Sequence, residues 1–132
     1  MPTPRPAVKV LIEREGAYLL LEQTTPDGPI WTLPGGKVEF RETPHEALRR
    51  EVSEEVGLAV DVGPPVGAYD FRFDDVHVVI TVFDCACGAD PAVDTTGNPA
   101  DETIRSARWV DRERLTDRPL NSGLRGLLAT LE

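Results

Sequence analysis

The sequence predicts one domain that mixes α-helices and β-strands. Short apolar segments separated by turns containing Gly, Pro or Asp indicate strands, and a capped, uninterrupted segment in the first half indicates a helix. Leucines at helical spacing near the carboxyl end indicate a second helix. A chain of 132 residues is long enough for one hydrophobic core and too short for two, so we expect a single domain over residues 1–132.

The first elements are predicted to be a β-hairpin and a short strand. Residues 8–12 and 17–21 are apolar runs joined by a turn at Glu15-Gly16, and residues 23–28 form a loop that contains Pro and Gly. The segment from Trp31 to Gly36 is typical of a short strand that runs into a tight Gly-rich turn. This turn would direct backbone groups toward the start of the following helix.

The central helix has signals at both ends. Thr43 is a suitable N-cap, Pro44 fits the first helical turn, and Glu46 completes a capping box. No helix breaker follows until Gly57, which suits the left-handed residue that commonly ends a helix. We therefore expect a helix between Thr43 and Gly57.

Three carboxylates lie beside the apolar stripe of this helix. At 3.6 residues per turn, Leu48 and Val56 bound an apolar arc of about 80°, and Glu51, Glu54 and Glu55 occupy the adjoining arc. Three like charges held partly against protein would repel one another and be poorly solvated. A hard divalent cation would remove that penalty, and oxygen ligands without nearby Cys or paired His favour Mg²⁺ or Mn²⁺ over zinc.

Arg50 precedes this triplet and can hydrogen-bond a neighbouring carboxylate, which would hold its oxygens in place. The alternative for the whole group is an ordinary solvated helix face with ion pairs four residues apart, such as Glu46 with Arg50. The helix alone leaves both interpretations open.

The elements after this helix follow from apolar runs and turn residues. Pro64-Pro65 separates two strands, Asp74-Asp75 forms the turn of a hairpin, and the longest loop covers residues 88–101. The predicted elements are strands at 59–62, 67–73, 76–87 and 104–110 and a helix at 120–131. Cys85 and Cys87 share one strand face and are expected to be reduced.

The composition excludes several classes of partner. A net charge of −9 and a pI near 4.7 argue against binding of long nucleic acid through a basic groove. No apolar run is long enough for a signal peptide or a membrane span, so we expect a cytoplasmic protein that does not bind membranes. The oligomeric state stays open between monomer and homodimer.

The segment from Gly36 to Leu58 resembles the signature of the Nudix hydrolase family. That signature is Gly, five residues, Glu, seven residues, Arg-Glu, an aliphatic residue, any residue, Glu-Glu, any residue, Gly and an aliphatic residue. A match at nine specified positions over 23 residues is a specific signal. The nine positions are filled by Gly36, Glu42, Arg50, Glu51, Val52, Glu54, Glu55, Gly57 and Leu58.

The resemblance implies an α/β/α sandwich with a mixed β-sheet, and a hydrolase that cleaves the diphosphate linkage of a nucleoside diphosphate linked to another moiety. The implied metal ligands are Glu51, Glu54, Glu55 and the carbonyl of Gly35. Arg50 and Glu42 would orient them, and Glu51, or else Glu54, would be the general base. Glu102 or Asp101 would add a ligand or a base, unless they belong to an ordinary polar loop.

The chemistry of a diphosphate agrees with this expectation. The bridge carries several negative charges, and water attacks it poorly unless a cation neutralises them and lowers the pKa of the water. An acidic pocket filled with metal would therefore attract a substrate that an empty acidic pocket repels.

The signature does not select the substrate. A nucleoside triphosphate, ADP-ribose, a dinucleoside polyphosphate and a nucleotide sugar all remain open as small nucleotide-type substrates. Arg72 or Arg41 is a candidate clamp for a terminal phosphate. His77 shares a strand face with Val79, Thr81 and Phe83 that is a candidate wall of the substrate cleft, and the alternative for His77 is an ordinary structural histidine. Aromatic residues such as Trp31 and Tyr69 could stack on a base, although strand aromatics more often belong to the core.

A catalytically silent nucleotide-binding or regulatory module of the same fold is the alternative function. Such a module would be expected to lose one or more metal carboxylates. The chain keeps Glu51, Glu54 and Glu55, which favours an enzyme.

Overall fold

The computed structural model describes residues 3–88, 93–95 and 104–131. Within these residues, seven strands, two α-helices and one 3-10 helix follow one another. In order, they are β1 (Arg5–Arg14), β2 (Ala17–Thr25), β3 (Gly28–Thr32), β4 (Gly35–Lys37), α1 (Pro44–Val56), β5 (Val60–Phe73), β6 (Val76–Cys87), β7 (Ile104–Asp111), the 3-10 helix (Arg112–Asp117) and α2 (Ser122–Thr130).

The strands form one mixed sheet in the order β3-β2-β1-β6-β5, with β4 paired to β1 and β7 paired to β2. The pair β1–β6 is parallel, and the other described strand pairs are antiparallel. Strand β1 contacts β2, β4 and β6, so it lies at the centre of the sheet. The short strand β4 is therefore fixed to the central strand of the molecule.

The two helices cover opposite faces of this sheet. Alternate residues of a strand point to opposite faces of the sheet. In β1, Val8 and Val10 pack in one hydrophobic cluster with residues of α1. Ala7 and Leu11 pack in a second cluster with residues of α2. The sheet thus lies between two helical layers, which confirms the predicted α/β/α sandwich. Within the described part of the chain, no helix is long and apolar enough to span a membrane.

Helix α1 begins and ends where the sequence predicts. The Thr43 hydroxyl accepts a hydrogen bond from the Glu46 N–H at 3.1 Å, and the Glu46 carboxylate accepts one from the Thr43 N–H at 3.0 Å. Gly57 ends the helix in the left-handed conformation, with φ 67°. The first end is determined by contacts within a few residues of sequence, and at the second end the remote Asp94 N–H also donates to the Val56 carbonyl at 2.8 Å.

Two predictions about the strands are wrong. The expected Gly-rich turn at Gly35-Gly36 is strand β4, in which these glycines pair with Lys9 and Val8. The two strands expected on either side of Pro64-Pro65 are one strand, β5, which passes the prolines with register shifts between Val62 and Gly67. Prolines are tolerated there because β5 is at the edge of the sheet and the strand bulges around them.

Smaller differences concern the ends of elements. Strand β2 extends to Thr25, into the expected loop, and the 3-10 helix between β7 and α2 lacks a counterpart among the predicted elements. Both cysteines are free thiols, as predicted, and Cys85 is buried while Cys87 is half-buried.

Candidate functional site

Strand β4 brings two glycines against helix α1, and the first of them binds Glu55. The Gly35 N–H donates to Oε1 of Glu55 at 2.6 Å in a buried contact. Glu55 is 7% exposed and is the one buried charged residue in the described part of the chain. A Cβ at Gly35 would run into the backbone of Val8, so only glycine allows β4 to approach β1 this closely.

The second glycine lies directly under the carboxylate of Glu51. A Cβ added at Gly36 would lie 2.5–2.7 Å from the three carboxylate atoms of that side chain, closer than real Cβ contacts. The Glu51 side chain is 17% exposed. The backbone of β4 and the carboxylate of Glu51 are thus in contact with no space for a side chain between them.

Arg50 joins Glu51 to the segment that precedes the helix. Its Nε and Nη2 donate to the two carboxylate oxygens of Glu42 at 2.7 and 2.9 Å, a bidentate pair. Its Nη1 donates to Oε1 of Glu51 at 3.0 Å, and Nη2 also donates to the Lys37 carbonyl at 3.1 Å. One guanidinium therefore fixes a helix carboxylate, a loop carboxylate and the end of β4 relative to one another.

Two further carboxylates face the same guanidinium. Oε2 of Glu54 lies 3.5 Å and Oε1 of Glu39 lies 3.7 Å from Arg50 Nη1. The Glu54 side chain is 45% exposed, so its carboxylate is open to solvent while that of Glu55 is enclosed. Four carboxylates lie within 4 Å of this one guanidinium, so negative charge exceeds positive charge among the contacts of Arg50.

The electrostatics keep the pair of Arg50 and Glu42 ionised. Hydrogen bonds from Arg50 and from the Glu39 N–H lower the pKa of Glu42 to about 2. The same hydrogen bond to Glu42 raises the pKa of Arg50. Near neutral pH the pair is fully charged, so its geometry is maintained by charge-assisted hydrogen bonds.

The donor set fits a hard divalent cation. In residues 3–88, 93–95 and 104–131, no three His, Cys, Asp or Glu side chains are already arranged to hold a metal ion. Arg50 contacts Glu51 and Glu54, and the Gly35 N–H donates to Glu55. The available ligands are nevertheless all carboxylate or carbonyl oxygens, which Mg²⁺, Mn²⁺ and Ca²⁺ prefer. The surplus of negative charge would be neutralised by such an ion.

The structure places the predicted substrate residues elsewhere on the sheet. Nε2 of His77 lies 2.8 Å and Nε of Arg72 lies 3.4 Å from Oδ2 of Asp70. In the described part of the chain, the contacts of Arg72 and His77 do not reach Arg50 or the helix carboxylates. Asp101 and Glu102 lie outside the described residues.

The face of β6 that was expected to line a cleft borders two cavities. Val79, Thr81 and Phe83 line one of about 280 Å³, next to the start of α1. His77 lines a separate one of about 310 Å³. Trp31 and Tyr69 belong to the buried core, as the more common interpretation of strand aromatics predicts.

Sequence reasoning missed two members of the site. Glu39 contacts Arg50, and its N–H donates to Oε1 of Glu42 at 3.0 Å, which helps to orient that carboxylate. The carbonyl of Lys37 is the second omission. The spacing of Glu39 and Glu42 in a turn could have signalled the first contact, whereas a backbone acceptor leaves no trace in the sequence.

Comparisons with known proteins agree with this geometry. The family model described as the NUDIX domain matches residues 3–131. Nucleoside triphosphatase NudI of Enterobacter sp. (strain 638) is 32% identical to the chain over 136 residues, which cover 92% of each protein. Nucleoside triphosphatase NudI of Escherichia coli O139:H28 is 32% identical over 138 residues, or 94% of each.

Among solved structures, the MutT NUDIX hydrolase from Burkholderia pseudomallei superposes with a TM-score of 0.82 at 27% identity, and the match covers 98% of this chain and 99% of that one. The MutT protein from Methanosarcina mazei Go1 has a TM-score of 0.81 at 28% identity, covering 96% of this chain and 91% of that one. The chain therefore matches these proteins over nearly its whole length.

Proposed function

The chain belongs to the NUDIX domain family and is a Nudix pyrophosphohydrolase, and from this premise we propose that it hydrolyses nucleoside triphosphates in the presence of Mg²⁺ or Mn²⁺. The substrate class rests on the relatives named nucleoside triphosphatase, whose alignments cover 92–94% of the chain. The metal rests on the oxygen-only donor set of α1 and β4. We further propose that residues 1–132 act as one Nudix domain.

The observation that carries the proposal is the contact of two adjacent glycines of β4 with two signature glutamates. Gly35 binds the carboxylate of Glu55, and Gly36 leaves just enough space for the carboxylate of Glu51. A binding module would have no need to keep both carboxylates against the same short strand. The contact therefore supports catalysis over the silent alternative.

We propose that Glu51, Glu54, Glu55 and the Gly35 carbonyl hold the metal, with Glu102 as a further ligand. When bound, the divalent ion neutralises phosphate charge and lowers the pKa of water. Arg50 positions Glu51, and Glu42 in turn fixes Arg50 through its bidentate pair. These contacts hold the Glu51 carboxylate in one orientation before substrate binds.

The proton transfer is assigned to the same helix. Glu51, or else Glu54, accepts a proton from the attacking water as the water oxygen bonds to phosphorus. The P–O bond that bridges the α- and β-phosphates breaks, which yields a nucleoside monophosphate and pyrophosphate. Substrate contacts by Arg72 and His77 stay predictions. A phosphate would compete with the Asp70 carboxylate for both side chains.

The test is a substrate panel of nucleoside triphosphates, ADP-ribose, dinucleoside polyphosphates and nucleotide sugars, with products separated by ion-exchange chromatography. Triphosphates should release pyrophosphate only with Mg²⁺ or Mn²⁺, and Glu54→Gln should lower kcat by about 100-fold or more. Glu113→Gln makes the same chemical change at an exposed position of the 3-10 helix and should keep wild-type activity.

Two results would contradict the proposal in different ways. Turnover of ADP-ribose or a nucleotide sugar with no turnover of triphosphates would refute the substrate and keep the reaction class. Binding of nucleotides without turnover in either metal would instead favour the silent module.

A further inference from the structure

We propose that the chain forms a symmetric dimer by pairing the carboxyl half of strand β5 with the same segment of a second copy. Strand β5 is the last strand on its side of the sheet, and within the described residues it pairs only with β6. In a strand with one neighbour, every second residue directs its N–H and C=O away from the sheet. Such an edge is a template for another strand.

The two halves of β5 differ in their protection against pairing. The first half contains Pro64 and Pro65 and two register shifts, which are common means of blocking an edge. From Gly67 to Phe73 the register with β6 continues without a shift, and this half contains no Pro and no Lys. The regular, unprotected half is the segment available to a second chain.

The side chains of this half are self-complementary. In an antiparallel pair centred on Phe71, the twofold axis places Asp70 opposite Arg72 of the second copy and Arg72 opposite its Asp70. Two salt bridges then form on one face of the sheet. On the other face, each Tyr69 lies opposite Phe73 of the second copy, because residues that face each other across antiparallel strands point to the same side.

Charge selects this register over its neighbours. A pair centred on Asp70 would place the two Asp70 carboxylates opposite each other, and a pair centred on Arg72 would place the two guanidinium groups opposite each other. Like charges directly opposite across strands are destabilising. Of these three registers, only the one centred on Phe71 pairs each charge with its opposite.

Phe71, Arg72 and Phe73 are exposed at this edge, whereas Tyr69 is 9% exposed and belongs to the core. Phe71 is 39% and Phe73 is 60% exposed, which is unusual for large apolar residues. The Arg72 side chain is 76% exposed and lies 3.4 Å from Asp70 of its own chain, a distance typical of weak surface pairs. A second copy would cover the two phenylalanines and give Arg72 a closer partner.

Charge reversal tests the register. Asp70→Arg and Arg72→Asp each place like charges opposite each other, so each variant alone should dissociate at least about 10-fold more readily than wild type. An equimolar mixture of the two variants restores opposite charges at every position and should associate again. Asp61→Arg makes the same change on the first half of β5 and should leave the dimer intact.

The measurement is sedimentation velocity over micromolar to sub-millimolar protein, without nucleotide, so that the result is independent of the proposed activity. Moderate salt is needed because each copy carries a net charge of −9. Circular dichroism of each variant checks that it is folded. A wild-type monomer throughout, a dimer that both reversals leave unchanged, or folded variants that do not associate when mixed would each overturn the proposal.

Discussion

Replacing Gly36 by alanine tests whether Glu51 must lie against strand β4. The added Cβ would lie 2.5–2.7 Å from the carboxylate atoms of Glu51, where ordinary van der Waals contact is 3.4–4 Å. The carboxylate must therefore move by about 1 Å, and a displacement of that size in a catalytic group costs about 100-fold in rate. We expect kcat for the proposed triphosphate hydrolysis to fall by this factor.

The same substitution should have little effect on folding. Gly36 is not among the glycines with positive φ, so its backbone accepts alanine without strain. The Glu51 side chain is partly exposed and can turn toward solvent. We therefore expect the free energy of unfolding to change by less than about 1 kcal/mol.

The assay combines pyrophosphate release at saturating Mg²⁺ with thermal unfolding of the same preparations. Gly126→Ala is the matched control, since Gly126 is exposed in α2 with nothing within 4 Å of an added Cβ. This control should keep full activity and gain about 0.5–1 kcal/mol of stability from its helical position. Wild-type kcat in a folded Gly36→Ala protein would refute the argument that this contact positions Glu51.

Two further predictions concern Arg50 and Cys85. Arg50→Lys keeps the charge but cannot donate to both carboxylate oxygens of Glu42. The free energy of unfolding measured in urea should therefore fall by about 1–3 kcal/mol, and kcat should also fall. Unchanged values of both quantities would contradict the positioning role of Arg50. Burial raises the pKa of Cys85 to about 11. Alkylation of Cys85 at pH 8 should therefore be about 100-fold slower in the folded protein than after unfolding in urea. Mass spectrometry of a Cys87→Ser variant measures this rate at Cys85 alone. Because the folded pKa is raised above the usual value of 9.0, the stability linked to this thiol is complete below pH 9 and is lost as the pH rises through about 11. Equal alkylation rates in the folded and unfolded protein would contradict this environment.

Helix α1 shows how far local sequence determines structure. Its capping box joins residues three apart, and it ends at Gly57 in the left-handed conformation, where the Asp94 N–H also donates to the Val56 carbonyl at 2.8 Å. Because the helix repeats every 3.6 residues, the sequence alone indicates which charged residues lie on the same side of it. The signature spacing therefore predicted both the family and the helix that carries the carboxylates.

The glycines of β4 show where local reasoning fails. A Gly-Gly pair is a common turn signal, but here the pair allows β4 to approach Lys9 and Val8, which are remote in sequence. The continuity of β5 through Pro64-Pro65 likewise depends on its place at the edge of the sheet, which sequence patterns do not specify. Both errors concern partners that are close only after the sheet has formed.

The sequence by itself determined which residues carry charge and on which side of α1 they lie. It could not rank Glu51, Glu54 and Glu55 by environment, because adjacent positions on a helix face differ only in what packs against them. The tertiary structure decided that Glu55 is buried on Gly35, that Glu51 lies on Gly36 beside Arg50, and that Glu54 faces solvent. The physical reason is that β4 reaches α1 only through its pairing with β1, so the environment of each carboxylate is a property of the assembled sheet.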